Sequence, residues 1–173
     1  MNAFFPEKET RSTYLIPYRK LYKQGIRGII FDIDNTLVPP DAPADRRCMA
    51  LFRILHRMGF RTCVVSNNNQ ERVRAFAEKA GTSYVASALK PLRKGYEEAM
   101  ELMGTVPENT LSVGDQIFTD IWGANRLGIH SILVKPMVRK EEPQIVLKRV
   151  AELPLLLCYH RKKLMNKLPG SGK

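Results

Sequence analysis

The sequence predicts an α/β fold: a doubly wound parallel sheet with helices on both faces. Two observations predict it. Short apolar runs rich in β-branched residues recur along the chain, at Ile29-Ile30-Phe31, Thr62-Cys63-Val64-Val65, Leu111-Ser112-Val113 and Ser131 to Val134. Stretches long enough for a helix separate them, and strand-helix alternation on this scale builds a parallel sheet.

In order, the pattern predicts a strand over Ile26 to Phe31, a helix near Ala44 to Met58, and a strand over Arg61 to Val65. A helix over Gln70 to Ala80, a short strand at Tyr84-Val85 and a helix over Lys94 to Met103 follow. The last elements are a strand over Thr110 to Val113, a helix over Thr119 to Leu127 and a strand over Ser131 to Val134. Before all of these, Pro17 can open a short helix with Tyr14, Leu15, Tyr18, Leu21 and Tyr22 on one side and Arg19, Lys20, Lys23 and Arg27 on the other. A chain of 173 residues with 44% hydrophobic content can bury a substantial core. The expectation is a single domain over residues 1–173, with a core over about 26–134 and flanks at 1–25 and 135–173.

Four short segments, in one order, carry polar residues at the ends of these strands. The first, Phe31-Asp32-Ile33-Asp34-Asn35-Thr36, delivers two carboxylates one residue apart where the strand ends. Side chains alternate along extended backbone, so Asp32 and Asp34 share a side and Ile33 turns away. In open α/β sheets ligands bind beyond the carboxyl ends of the strands. Two close carboxylates repel, and a hard cation is the usual remedy. A second pair, Asp115 and Asp120, follows the strand at Leu111-Ser112-Val113, so that a magnesium ion can lie between the two pairs.

Such a charge set suits phosphoryl transfer, because a phosphate facing carboxylates needs compensating positive charge. Lys90 in Leu89-Lys90-Pro91 is placed to supply an ammonium, and Pro91 keeps it out of a helix interior. Ser66 and the Asn67 amide, at a strand end before a helix, can donate to phosphate oxygens. Each residue alone has a plainer reading: Ser66 as N-cap of the helix carrying Val73 and Phe76, and Asp120 as a carboxylate favoured by a helix dipole.

Taken together, the four segments resemble the motifs of the haloacid dehalogenase-like hydrolase superfamily: an Asp-x-Asp-x-Thr loop, a Ser, a Lys and an acidic cluster. Gly114-Asp115-Gln116 with Thr119-Asp120 is similar to its last motif, and the resemblance spans about Gly28 to Val134. Tyr18-Arg19-Lys20-Leu21-Tyr22 and Asp34-Asn35-Thr36-Leu37-Val38 look like the compact, capless YqeG-type members of subfamily IIIA. The resemblance implies a Rossmann-like core and a phosphatase working through an aspartyl-phosphate. On that reading Asp32 is the nucleophile and Asp34 the general acid and base. Asp32, the Asp34 carbonyl and Asp115 hold Mg2+ with Asp120 in support, and Thr36, Ser66, Asn67 and Lys90 bind the transferred phosphoryl.

Spacing limits what can cover such a site. Thirty-three residues separate Asp32 from Ser66 and twenty-three separate Ser66 from Lys90, room for a loop, a helix and a strand but not for a cap domain. An open site favours a substrate whose own bulk does the covering.

Charge is distributed unevenly along the chain. Residues 1–27 hold six Lys and Arg against two Glu, residues 28–134 hold twelve basic against twelve acidic, and residues 135–173 hold ten against three, so the net +11 comes from the two ends. A neutral body with basic flanks predicts docking on an anionic surface. A membrane phospholipid is the favoured partner, as in phosphatidylglycerophosphatase-type relatives, and the protein is then peripheral on the inner face of the membrane. The aromatic and basic sides of the 14–27 segment suit an interfacial helix, and Ile145, Val146, Val150, Leu153 and Leu155-Leu156-Leu157 before Arg161-Lys162-Lys163 repeat the pairing. The alternatives are a phosphatase of nucleic-acid ends or phosphoproteins, and a non-catalytic RNA- or ribosome-associated module; phosphate backbones satisfy the same charges.

No stretch approaches the roughly twenty apolar residues of a membrane span, and Met1 to Gln24 lacks the apolar run of a secretory signal. Cys48, Cys63 and Cys158, odd in number and without metal-ligand spacing, suit a reducing cytoplasm. His56, His130 and His160 form no cluster.

Overall fold

The structure is a computed structural model; it describes residues 3–138 together with Leu157 and Arg161. The apolar segments of the C-terminal flank named above lie, apart from Leu157, outside the described residues. Among the described residues six parallel strands form one sheet: β1 (Lys8–Thr10), β2 (Gly28–Phe31), β3 (Arg61–Val65), β4 (Ser83–Val85), β5 (Thr110–Gly114) and β6 (His130–Val134), in the order β1-β6-β5-β2-β3-β4. From β2 the chain winds outward through β3 to β4 and then returns to β5 on the other side of β2. The strand order therefore reverses between β2 and β5, which is where open sheets of this kind place a crevice.

Alternate residues of each strand feed two separate cores. Ile29, Phe31, Val64, Leu111 and Val113 pack with α1 (Tyr18–Lys23), α2 (Arg46–Arg57) and α3 (Gln70–Ala80) on one face. Ile30, Cys63, Val65 and Val85 pack with α4 (Arg93–Met103) and with Ala124 of α5 (Trp122–Asn125) on the other. Buried strands with both faces covered explain why these runs read as continuously apolar. Cys48 and Cys63 are buried thiols, and burial pushes each up to about 12, so they serve as packing residues.

Three elements differ from the sequence expectation. β1 is a strand that Lys8-Glu9-Thr10 does not announce; it exists by pairing with β6, Lys8 opposite Ile132 and Thr10 opposite Val134. The expected helix over Thr119 to Leu127 is a π-helical turn, Ile117–Ile121, followed by the single short turn of α5. Asn69, not Ser66, caps α3: its Oδ1 accepts from the Arg72 amide at 2.9 Å.

The N-terminal flank also belongs to the packed body. Tyr18 and Leu21 are buried in the first core, Tyr22 packs edge-on against Phe60, and the Tyr14 hydroxyl donates to the Leu37 carbonyl at 2.7 Å. The tyrosines and Leu21 of that segment are thus used internally, while Leu15, expected on the same side, and Arg19, Lys20 and Lys23 stay exposed. No helix among the described residues is long and apolar enough to cross a membrane.

Candidate active site

β2 and β5 end side by side, and the Asp32 amide extends the ladder by donating to the Val113 carbonyl at 3.0 Å. The side chain of Asp32 thereby emerges at the strand-order reversal, next to Asp115, the first residue after β5. Asp120 reaches the same point because the π-helical turn folds back: the Gln116 amide donates to its Oδ2 at 3.1 Å. Gly114 makes room for this fold-back, since a Cβ there would collide with the Asp120 side chain. Asp32, Asp115 and Asp120 each offer a carboxylate oxygen within 4.8 Å of the others.

The ammonium of Lys90 lies among these acids. Its Nζ donates to Oδ1 of Asp32 and to Oδ1 of Asp120, each at 2.6 Å, with the lysine side chain only 5% exposed and those of the two partners 12% and 4%. Burial alone would lower the Lys90 pKa, but Asp120 and Asp32 outweigh it and hold the ammonium charged. Burial pushes Asp32 up, Lys90 opposes that, and the nearby Asp120 charge adds to it. A buried set with three acids and one base retains excess negative charge, which is the condition under which a divalent cation binds.

Lys90 is aimed by its surroundings rather than by a regular element. Asn67 clasps its backbone from both sides, Oδ1 accepting from the Lys90 amide at 2.6 Å and Nδ2 donating to its carbonyl at 3.2 Å. Gly95 lets α4 press against Ala88, where a Cβ would come within 2.8 Å of the Ala88 methyl. The side chain of Asn67 therefore positions Lys90. Ser66 is buried at the end of β3, its Oγ accepting from the Asn68 amide at 3.1 Å. Thr36, also buried, turns its hydroxyl to Oδ1 of Asp115 at 3.3 Å.

Asp34 takes a different direction from the other acids. Its Oδ1 accepts from the Asp41 amide at 3.1 Å and pairs with the Arg72 guanidinium at 3.0 Å, and its Oδ2 accepts from the Asn68 amide group at 3.3 Å. Arg72 also donates to the Ala42 carbonyl at 2.8 Å, tying α3 to the loop that follows β2. Sequence reasoning missed Arg72 and Asn68. One signal was available: an arginine in the first turn of a helix sits at the end where the dipole disfavours a cation. Asn35, in the left-handed region at φ 63°, holds the chain leaving β6, its carbonyl accepting from the Met137 amide at 3.2 Å and its Oδ1 from the Val138 amide at 3.0 Å.

Comparison with known proteins agrees with this architecture. The chain is 35% identical over 160 residues to a Bacillus subtilis (strain 168) protein named "Probable phosphatase YqeG", covering 92% of this chain and 93% of that one. It is 31% identical to phosphatidylglycerophosphate phosphatase 1, chloroplastic/mitochondrial, of Arabidopsis thaliana, over 92% of this chain; the chain spans about half, 49%, of that relative's length. Among solved structures, an uncharacterized protein from Corynebacterium glutamicum superposes with a TM-score of 0.54 at 19% identity, over 73% of this chain and 94% of that one, a likeness of fold. The sequence profile for haloacid dehalogenase-like hydrolases matches residues 40–128. On the strength of that profile and of the Bacillus relative matched over nearly its whole length, the chain belongs to the haloacid dehalogenase-like hydrolase family.

Proposed function

We propose that this protein is a magnesium-dependent phosphatase that hydrolyses a phosphomonoester through an aspartyl-phosphate, with phosphatidylglycerophosphate as the substrate. One observation carries the reading: three carboxylate oxygens within 4.8 Å at the strand-order reversal, with a buried ammonium bridging two of them. That donor set, all oxygen and net negative, fits a hard divalent ion. Asp32, Asp115, Asp120 and the Asp34 carbonyl would hold it. When bound, it would offset phosphate charge and polarise the P–O bonds.

The chain's own groups supply the remaining chemistry. A carboxylate oxygen of Asp32 attacks phosphorus in line, the bond to the ester oxygen breaks, and Asp34 gives that oxygen its proton. Asp34 then takes a proton from water as the water oxygen attacks the aspartyl-phosphate, which releases inorganic phosphate and regenerates Asp32. Lys90 neutralises charge on Asp32 and on the transferred group. The Ser66 hydroxyl and the Asn67 backbone amide donate to the phosphoryl oxygens, while Thr36 orients Asp115. Arg72, Asn68 and the Asp41 amide fix the direction of the Asp34 carboxyl.

Support for the lipid comes from the spacing that leaves no room for a cap domain between Asp32 and Lys90, the basic excess of 135–173, and two relatives named phosphatidylglycerophosphate phosphatase 1, from Arabidopsis thaliana and Chlamydomonas reinhardtii. The test is phosphate release from phosphatidylglycerophosphate, nucleotides, a 5′-phosphorylated oligonucleotide and a phosphopeptide, with Mg2+ and with a chelator. The lipid should be hydrolysed fastest, chelation should stop the reaction and added Mg2+ should restore it. No release from any monoester with Mg2+ would overturn the enzyme reading, and a faster oligonucleotide would transfer it to nucleic-acid ends.

A further inference from the structure

The turn that carries Lys90 inward carries two leucines outward. Leu89 and Leu92 flank the lysine, 66% and 56% exposed, and the Leu92 amide closes the turn on the Leu89 carbonyl at 2.9 Å. An exposed leucine alone means little, because much of any protein surface is apolar. Each of these two also stands at a position that other residue types suit better. Leu89 stands at φ 53°, a region costly for a bulky side chain; the other non-glycine residues with positive φ among those described are Asn35, Asp41 and Ser87, all polar. Leu92 occupies the N-cap of α4, makes no side-chain cap bond, and sits where Ser, Asp or Asn would stabilise the helix. Two nearby residues, one in a costly conformation and one that leaves a helix uncapped, neither gaining burial, indicate a contact outside the chain.

We infer that Leu89 and Leu92 form an apolar rim that dips into the headgroup and acyl boundary of an anionic bilayer, seating the mouth of the site on its lipid substrate. This deepens the phospholipid reading above and rests on it. Charge selects the occupant. Lys94, on the first turn of α4, is exposed, and so is Lys135 just beyond β6. The described chain leaves at Val138, hydrogen-bonded to Asn35 of the loop after β2, and residues 139–173 carry nine Lys and Arg against three Glu. Apolar tips backed by basic residues at one end of a sheet suit an anionic membrane surface. Met137, 39% exposed beside Asn35, extends the rim on the opposite flank.

The test uses the full chain and Leu89→Asn/Leu92→Ser, two replacements that suit the left-handed region and the N-cap. The melting temperature should hold or rise, while partition onto phosphatidylglycerol/phosphatidylcholine vesicles weakens about tenfold. The ratio of vesicle-borne to soluble-ester turnover should fall at least about fivefold, following that partition. Leu102→Ser, at the far end of α4, is the control and should partition like the parent. In Leu92→Trp, emission should shift to the blue and be quenched by lipids brominated in the acyl chains, above the background of Trp122. Undiminished partition of the double variant, no quenching, or a lowered melting temperature would each overturn the inference. So would a parent dimer that the double variant converts to monomer, which would make a second copy the occupant. Weakened partition with no hydrolysis of phosphatidylglycerophosphate sinks the substrate reading but spares the rim; hydrolysis that ignores the double variant does the reverse.

Discussion

At the amino ends of its strands the sheet buries neutral hydroxyls; at the carboxyl ends it buries charges. Thr62, Thr110 and Ser131 stand at the amino ends, each answered by a neutral partner: His56 and Thr82 for Thr62, the Val106 carbonyl for Thr110, and Asn125 for Ser131. Lys90, Asp115 and Asp120 stand at the other end, nearly without exposure. Buried ion pairs give little net stability over apolar packing, because desolvation cancels most of the attraction. The amino end thus shows what the fold requires, and on the proposed reading the carboxyl end shows what has been added to it for chemistry.

The sharpest way to break that contrast is Asp32→Asn, which keeps the shape and removes the charge. Phosphate release should fall about a thousandfold, while the melting temperature stays close to the parent's, since Lys90 keeps Asp120. Retained turnover would remove Asp32 from the chemistry. Lys90→Met should lower turnover about a hundredfold and, by stranding two buried carboxylates, cost about 3 kcal/mol in urea unfolding. Adding Asp120→Asn should recover part of the stability and none of the rate. Arg72→Leu should lower kcat about tenfold with little change in KM, because it releases Asp34 without touching the phosphoryl ligands.

At the amino end the expected effects are confined to stability. Thr62→Val should cost about 1 kcal/mol and leave turnover alone. Burial lowers the His56 pKa, so the folded state holds its proton less tightly than the unfolded chain does. Stability from this site is therefore present above the unfolded value of about 6.5 and is lost as pH falls through it toward the lower folded value. His56→Gln should narrow the difference between melting temperatures at pH 7.5 and 5.5, and an unchanged difference would place the acid sensitivity elsewhere.

How much was legible in the sequence follows the same division. β2, β3, β5 and β6 are buried on both faces, so their apolar runs could be read directly, and the residues that end them were named with the strands. The pairing of Lys90 with Asp32 and Asp120 was expected only as charge compensation; the angle at which Asn67 holds it depends on two loops 23 residues apart in the chain. Asp34 was expected to share a side with Asp32, but its carboxylate turns to partners from α3, the loop before it and the loop at Asp41, which no local pattern links. The π-helical turn escaped because Ile117, Ile121 and Ala124 fit an ordinary helical stripe; the fold-back of Asp120 onto the Gln116 amide decides otherwise.

The pairing of Lys8 with Ile132 has a consequence for synthesis. Among the described residues β1 pairs with β6 alone, the last of the six strands in chain order, so residues 8–10 have no strand neighbour in this sheet until β6 has been translated. Closing so long a loop is slow, and in a refolding experiment the amides of 8–10 should be the last of the sheet to gain protection from hydrogen exchange.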